Sequence, residues 1–401
     1  MRTKSYLSGY TGEVIRNILE SGFMARDVIR LYEGPYAEQM RRTISRLKKD
    51  GVIEESKTIA GTKYLTLTKA GEEKVFCEAN AELIKTYTSP RAKQSVRYLA
   101  MQKPKRVSKE KNNVVAYKTV QNKTINDATA KVFMKLAGVN LGTEADIENG
   151  EIKKNATLYL DSAATKKLGS YKATMTMQFG TQKLSNSRIN GIGITGGGIY
   201  GVYFTGNATP EWRRDGEKRM VACIKAIASR NIEGYSISIY EEECIVITKK
   251  DSNFPRMIQG EYKENSTRRT LMNIDSTYKH MYSIQYSSDG IRMFRIMQIE
   301  NWQAKIKRQM FPEKEIEESS FVSTSCDGYD RHNGIYKLAF CIPDMTKLKS
   351  FAKRAAIDDE REKYHIYCYN CQLPIIAPVV KQHAKVFIIS LDEMEKELGI
   401  E

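Results

Sequence analysis

The sequence predicts a mixed fold, α+β in its first part and α/β in its last, and three observations predict it. Before residue 50, apolar residues recur with helical spacing in three short segments, and a two-strand pattern with a glycine turn follows them. Near the middle, two runs of small and β-branched residues flank three consecutive glycines. Toward the end, apolar strand-like runs alternate with helical ones three times over.

At the N-terminus, Val14, Ile15, Ile18 and Leu19 put one apolar stripe on a helix that should end near Ser21-Gly22. A short second helix covers Ala25 to Leu31, Gly34-Pro35 breaks the chain, and Tyr36 to Lys49 makes a third helix. Met40, Ile44 and Leu47 share one face of it, while Arg41, Arg42, Ser45, Arg46, Lys48 and Lys49 occupy the others. Asp50-Gly51 stops that helix. Val52-Ile53 then opens an extended run that turns at Ala60-Gly61 and returns through Lys63 to Leu67, and Thr68 caps a further helix.

The phrase LKKDGVIEE…GTKYLTLTKAGEE resembles the wing and following helix of winged-helix DNA-binding proteins. The resemblance implies a winged helix-turn-helix over residues 1–84. A helix that is apolar on one side and rich in arginine on the other suits the major groove, where arginine pairs bidentately with guanine. The expected contacts to double-stranded DNA are Tyr36, Gln39, Arg41, Arg42, Ser45, Arg46, Lys48 and Lys49 on the helix, with Lys57, Thr62 and Lys63 on the wing.

Charge localises the same expectation. The chain carries 64 Lys and Arg against 48 Asp and Glu, and residues 1–111 hold 23 of the former and 13 of the latter, so +10 of the net +16 lies there. A polyanionic partner fits that distribution. Residues 85–123 read as a basic linker broken at Ser89-Pro90 and Lys103-Pro104, whose Lys103, Lys105 and Arg106 could track phosphates. Charges interrupt every apolar stretch, so neither a signal peptide nor a membrane span is expected and the location should be cytoplasmic. Seven cysteines, an odd number in a long chain, argue for reduced thiols.

Residues 124–311 read as a second block. Thr124 to Gly138 has helical spacing at Ala128, Val132 and Leu136. Arg188 to Ile194 is a strand, Thr195 to Gly198 a tight turn and Ile199 to Phe204 the returning strand, before a helix from about Pro210 to Ser229. Three glycines invite a phosphate-loop reading, but a Walker loop needs Lys-Ser or Lys-Thr and then a helix, so a hairpin turn explains them better. Strands follow at Cys244 to Ile247 and Met281 to Tyr286, then a helix from Gly290 to Met310. In residues 312–401, strands at Tyr336–Cys341, His365–Cys371 and Lys385–Ile389 alternate with helices at Met345–Ala356, Pro374–Lys381 and Leu391–Leu398. That βαβαβα order predicts a small parallel sheet.

The order SRINGIGIT…GIYGVYFTG…W…GEKR, with the later QGEYKENSTRRTLMNIDSTYKHMYSIQYSSDGIRMFRIM, resembles proteins of Gram-positive plasmids and conjugative elements in which a winged helix precedes a restriction-endonuclease-like core. These stand near the replication-relaxation family and the endonuclease-like relaxases. The resemblance implies roles in replication, mobilisation or transcriptional control, with replication or mobilisation proteins as further partners. An active core of that kind needs two carboxylates on adjacent strands to hold a divalent cation and a lysine beside them. Here Asn190 stands where the first acid is expected and the returning strand offers Tyr203 and Phe204, so the core reads as degenerate and without a cofactor. Asp161, Asp215 and Glu217 lie within the same block and are the candidates for a rearranged magnesium or manganese site. His365, Cys368, Cys371 and His383 could bind zinc only if a strand gathered them, and buried cysteines are the commoner case. The four histidines, at 280, 332, 365 and 383, include no His-x-His pair, which excludes the relaxase type that clusters histidines around a metal.

The leading expectation is therefore a sequence-specific DNA-binding protein of a mobile element, able to form a homodimer. Its rivals are a metal-dependent DNA-nicking relaxase and a protein-interaction scaffold.

Overall fold

The structure is a computed structural model that describes residues 5–102, 110–142, 146, 152, 156–165, 187–207, 211–212, 214–232, 241–259, 270–271, 277–316 and 325–400. The chain is mixed α/β and divides into two compact units, residues 1–133 and 134–401. Among the described residues no helix is long and apolar enough to cross a membrane.

The first unit begins with α1 (Gly9–Ser21), a two-residue strand β1 (Met24–Ala25) and a 3-10 turn (Arg26–Leu31). Helix α2 (Gly34–Lys49) follows, and then the hairpin β2 (Ile53–Lys57) and β3 (Lys63–Leu67). Gly34-Pro35 starts α2 rather than standing outside it, which suits a residue whose missing N–H and fixed φ fit the first turn. Met40, Ile44 and Leu47 are buried against α1 and the 3-10 turn, each worth about 1.5–3 kcal/mol in apolar burial. The three strands form an antiparallel sheet in the order β1-β3-β2. Thr68 caps α3 (Lys69–Phe76) by accepting from the Gly71 N–H.

Beyond α3, the expected linker over 85–123 is largely helical. It holds the second half of α4 (Ala81–Thr88), all of α5 (Pro90–Leu99) and the first half of α6 (Glu110–Leu136). Ser89 and Pro90, read as breaks, are the cap and first residue of α5, and the Ser89 side chain accepts from the Ala92 N–H. Helix α5 lies against the end of α1. A Cβ on Gly22, whose φ is 80°, would stand 3.0 Å from Val96 Cγ2.

The second unit is built on a mixed six-stranded sheet in the order β11-β9-β7-β6-β5-β4. Its members are β4 (Asn140–Leu141), β5 (Leu158–Asp161), β6 (Gly191–Thr195), β7 (Gly198–Phe204), β9 (Glu243–Thr248) and β11 (His280–Gln285). Strands β5, β6 and β7 form an antiparallel meander, whereas β7, β9 and β11 are parallel. Helix α7 (Arg214–Asn231) connects β7 to β9, and α8 (Asn253–Gln259) follows β9. A small antiparallel pair joins β8 (Glu211–Trp212) to β10 (Thr270–Leu271). The glycines at 196–198 turn the β6–β7 hairpin, and their size is required: a Cβ on Gly197 would sit 1.9 Å from the Met297 carbonyl oxygen.

The single helix expected over Gly290–Met310 is two, α9 (Ser288–Ile296) and α10 (Trp302–Met310), separated at Asn301, which adopts a left-handed φ of 56°. The four-stranded sheet that follows has the order β12-β13-β14-β15, with β12 (Gly328–Asp330) antiparallel to β13 (Ile335–Ala339). Strands β13, β14 (Tyr364–Tyr369) and β15 (Lys385–Ile389) are parallel, as the alternation predicts. They are interleaved with α11 (Met345–Asp358) and α12 (Leu373–Val380), and α13 (Leu391–Glu397) ends the series. The division expected at 311/312 does not separate two cores. Ile192, Val246 and Met281 of the large sheet belong to one buried cluster with Phe340, Met345, Phe351 and Ile366.

Candidate nucleic-acid interface

Helix α2 buries Ala37, Met40, Thr43, Ile44 and Leu47, so its remaining faces must meet solvent. Tyr36 is 61% exposed, and its ring packs edge-on against Tyr10 at 5.9 Å. Gln39, Arg41, Arg42, Ser45, Arg46, Lys48 and Lys49 are all exposed. Five of these are held by neighbours, Lys48 by the carboxylate at the hairpin and four as follows. Arg42 Nε donates to Glu38 Oε1 at 3.1 Å and Arg41 Nη1 to Glu38 Oε2 at 3.4 Å, one and the same carboxylate serving both. Arg46 Nη2 donates to Thr11 Oγ1 at 2.6 Å, and the Ser45 hydroxyl donates to the Arg41 carbonyl at 2.9 Å. The Arg42 and Arg41 guanidinium groups hold the Glu38 carboxyl below the usual range.

A second carboxylate orders the junction of helix and hairpin. Glu55 on β2 accepts from Lys48 at 3.2 Å and lies 3.4 Å from Lys63 and 3.7 Å from Arg26. Burial pushes its carboxyl up, and the Lys48 and Lys63 ammonium groups outweigh that and leave it below the ordinary value. Lys57 and Lys63 face each other directly across the hairpin, and like charges so placed repel unless an anion lies between or beside them. Both lysines are exposed and Thr62 is half-buried.

The hairpin tip is not a free loop. Gly61 donates to the Thr58 carbonyl, and the Thr58 hydroxyl accepts from the Thr62 N–H. From α6, the fully buried Gln121 accepts from the Ile59 N–H at 3.0 Å through Oε1. Its Nε2 donates to the Leu99 and Met101 carbonyls at 3.0 and 2.9 Å. One amide therefore fixes the tip to the end of α5. Lys103, Lys105 and Arg106 lie outside the described residues.

The carboxylates expected as candidates for a metal site have hydrogen-bond partners of their own where their side chains are described. Glu217, on the first turn of α7, is fully buried, and it accepts from the Ser187 hydroxyl, the Arg188 N–H and the Tyr203 hydroxyl, each at 2.7 Å. Tyr203 also shares a hydrogen bond of 2.9 Å with Tyr278, and burial, then the Glu217 charge, keep its hydroxyl protonated. Asn190 Oδ1 accepts from the Phe204 N–H at 2.6 Å. Asp161 Oδ1 accepts from the N–H groups of Ala163 and Ala164 at 2.9 and 3.0 Å and so caps the turn after β5. The Asp215 side chain lies outside the described residues. The structure thus brings Glu217 beside Tyr203 and leaves Asp161 on another strand, with its own task.

The zinc candidates do not converge either. His365 and Cys368 sit three residues apart on β14 and so project to opposite faces, and His383 Nδ1 is 2.8 Å from Asp359. Among the described residues no group of three or more His, Cys, Asp or Glu is placed to hold a metal ion. All seven cysteines are free thiols. No family model, curated protein or solved structure matches the chain.

Proposed function

We propose that the chain is a sequence-specific DNA-binding protein of a mobile genetic element, that its first unit is a winged helix-turn-helix, and that its second is an endonuclease-like core without catalysis. The observation that carries the reading is the exposed side of α2, where Gln39, Arg41, Arg42, Ser45 and Arg46 line a rigid helix beside a basic hairpin. Helix, short strand, helical turn, helix and hairpin is the element order of that class, and α2 is the element that would enter the major groove. Glu38 and Glu55 support the same role. Glu38 holds two arginines through solvent-screened pairs that yield readily to a phosphate or guanine, and the more buried Glu55 orders Lys48 and Lys63 beside them.

For the core, the antiparallel meander of β5, β6 and β7, the helix α7 and the parallel strand β9 support the endonuclease-like reading. The hydrogen bonds received by Glu217, Asn190 and Asp161 support its lack of catalysis, since each group already has a structural partner.

The test is selection of bound duplexes from a random pool, followed by titration of the selected site at several salt concentrations. A recovered motif and a log affinity that falls linearly with log salt are expected. Failure to enrich any motif, or binding indifferent to salt, refutes the proposal.

A further inference from the structure

We infer that Gln121 is a positioning residue for DNA: by clamping the tip of the β2–β3 hairpin it presets Lys57 and Lys63 for phosphates of the duplex. The inference rests on the reading of the first unit as a DNA-binding winged helix and adds to it what holds the wing in place. In the sheet order β1-β3-β2, strand β1 meets β3 only at Tyr64 and Leu65. The hairpin beyond Tyr64 therefore has no third strand, and a two-stranded ribbon is marginal by itself. Its turn closes on itself, with the Thr58 N–H donating to the Thr62 carbonyl at 3.0 Å and the Gly61 N–H to the Thr58 carbonyl at 2.9 Å. The bond from the Ile59 N–H to Gln121 Oε1 ties that turn to α6. Because Nε2 donates to the Leu99 and Met101 carbonyls, the buried amide has one orientation: turned over, it would set N–H against N–H and oxygen against two carbonyls. If the tip swings away, a buried acceptor is left without its donor, which costs more than the bond alone.

The clamp presents positive charge that the chain does not itself neutralise. Arg26, Lys48 and Lys63 share the one carboxylate of Glu55, and Lys57 stands two residues beyond Glu55 on the same face of β2, directly opposite Lys63. A phosphate beside the two lysines relieves their repulsion. The turn between β2 and β3 spans five residues, 58–62, and a loose turn of that length would have to be ordered by the DNA. Such ordering consumes much of what two phosphate contacts return, so the lysines contribute to binding only while Gln121 holds the tip.

The experiment is a double-mutant cycle in the full chain, read as affinity for the selected duplex over a salt series. In the parent, Lys57→Ala together with Lys63→Ala weakens binding by about tenfold or more and flattens the plot of log affinity against log salt by about 2. Gln121→Met keeps the side-chain volume and removes the hydrogen bonds; in that background the same lysine changes weaken binding by less than about twofold. Gln121→Met alone shows the flattened slope and recovers the same motif, because α2 is untouched. A mere loss of stability leaves the slope and the lysine effect of the folded chain as they were, and circular dichroism checks the fold. In the wild type, the Ile59 amide is protected from exchange before DNA is added as well as after. Equal lysine effects in the two backgrounds overturn the inference, as does a lysine pair without effect in the parent or an Ile59 amide protected only in the complex. A wild type that enriches no motif refutes the DNA reading itself, and the inference with it.

Discussion

His280 Nδ1 lies 2.7 Å from Asp344 Oδ2, and this contact joins the first residue of β11, the end strand of the six-stranded sheet, to the cap of α11. The Ser283 N–H donates to the Pro343 carbonyl beside it, so the two sheets of the second unit are stitched along one short seam. Glu243, at the start of the neighbouring strand, accepts from the Tyr282 hydroxyl at 2.6 Å, and Glu241 lies 3.9 Å from the far nitrogen of His280.

Two protons sit in this seam, and both make stability fall as pH rises. Burial pushes the Glu243 carboxyl up to about 7 from an ordinary 4.5, so the folded chain keeps a proton that the unfolded chain releases between those values. For His280, burial lowers the imidazole and the Asp344 hydrogen bond outweighs it, leaving it raised; the stabilisation is whole below its ordinary range and is lost as pH climbs through the raised value. Glu243→Gln should match the wild type near pH 4.5 and exceed it above pH 7 by on the order of 3 kcal/mol in urea unfolding. A difference that is constant across that range would sink the assignment.

Arg42→Ala should lose about 1–3 kcal/mol on the selected DNA site and relax base preference where Arg42 pairs. Because Glu38 holds Arg42, Glu38→Gln should tighten binding to any duplex while preserving the preferred motif. Gel-shift titrations on the selected and scrambled sites read both. Equal losses on the two duplexes for Arg42→Ala would make that arginine a phosphate contact instead.

Gln121→Ala strips the Ile59 N–H and two carbonyls of their partner at once. The expected loss is about 1–3 kcal/mol in the first unit. Amide exchange at Ile59 should accelerate, and an unaltered exchange rate there would mean that the tip is held by other contacts.

No magnesium- or manganese-dependent nicking of supercoiled DNA carrying the selected site is expected. A metal at this core would have to take Glu217 from the Ser187, Arg188 and Tyr203 groups that occupy it. Nicking by the wild type that disappears in Glu217→Gln would move the protein to the relaxase class.

Helix α2 is legible in the sequence because its buried face repeats at the helical period, and the β2–β3 hairpin because a glycine turn separates two extended runs. The hairpin at Gly196-Gly197 is legible from its glycine turn between two apolar runs, and the parallel order of β13, β14 and β15 from the alternation of strands with helices. Helices α4 and α5 are hidden by their composition, since basic surface residues mask the few apolar contacts, yet Ser89-Pro90 is a helix-start signal as well as a break. The Glu38 pairs follow from i,i+3 and i,i+4 spacing and could have been found. Gln121 could not: its partner Ile59 is 62 residues away, and nothing local marks a glutamine as a clamp. Glu217 is similar, because its three donors come from a loop and a strand that only the folded sheet brings to α7.

The strand order of the large sheet has a kinetic consequence. Asp161 pairs with Gly191, Phe204 with Ile247 and Gln285 with Thr248, so three of the sheet's pairings must close a long intervening segment before their contacts form. The β2–β3 hairpin closes over five residues and packs against helices just before it. Rates fall as contacts become less local, and chains fold from the N-terminus as they are made. During synthesis the basic hairpin and α2 can therefore be complete while β9 still lacks β11. A nascent chain of this protein can carry the finished first unit, with the exposed basic side of α2, before its core exists.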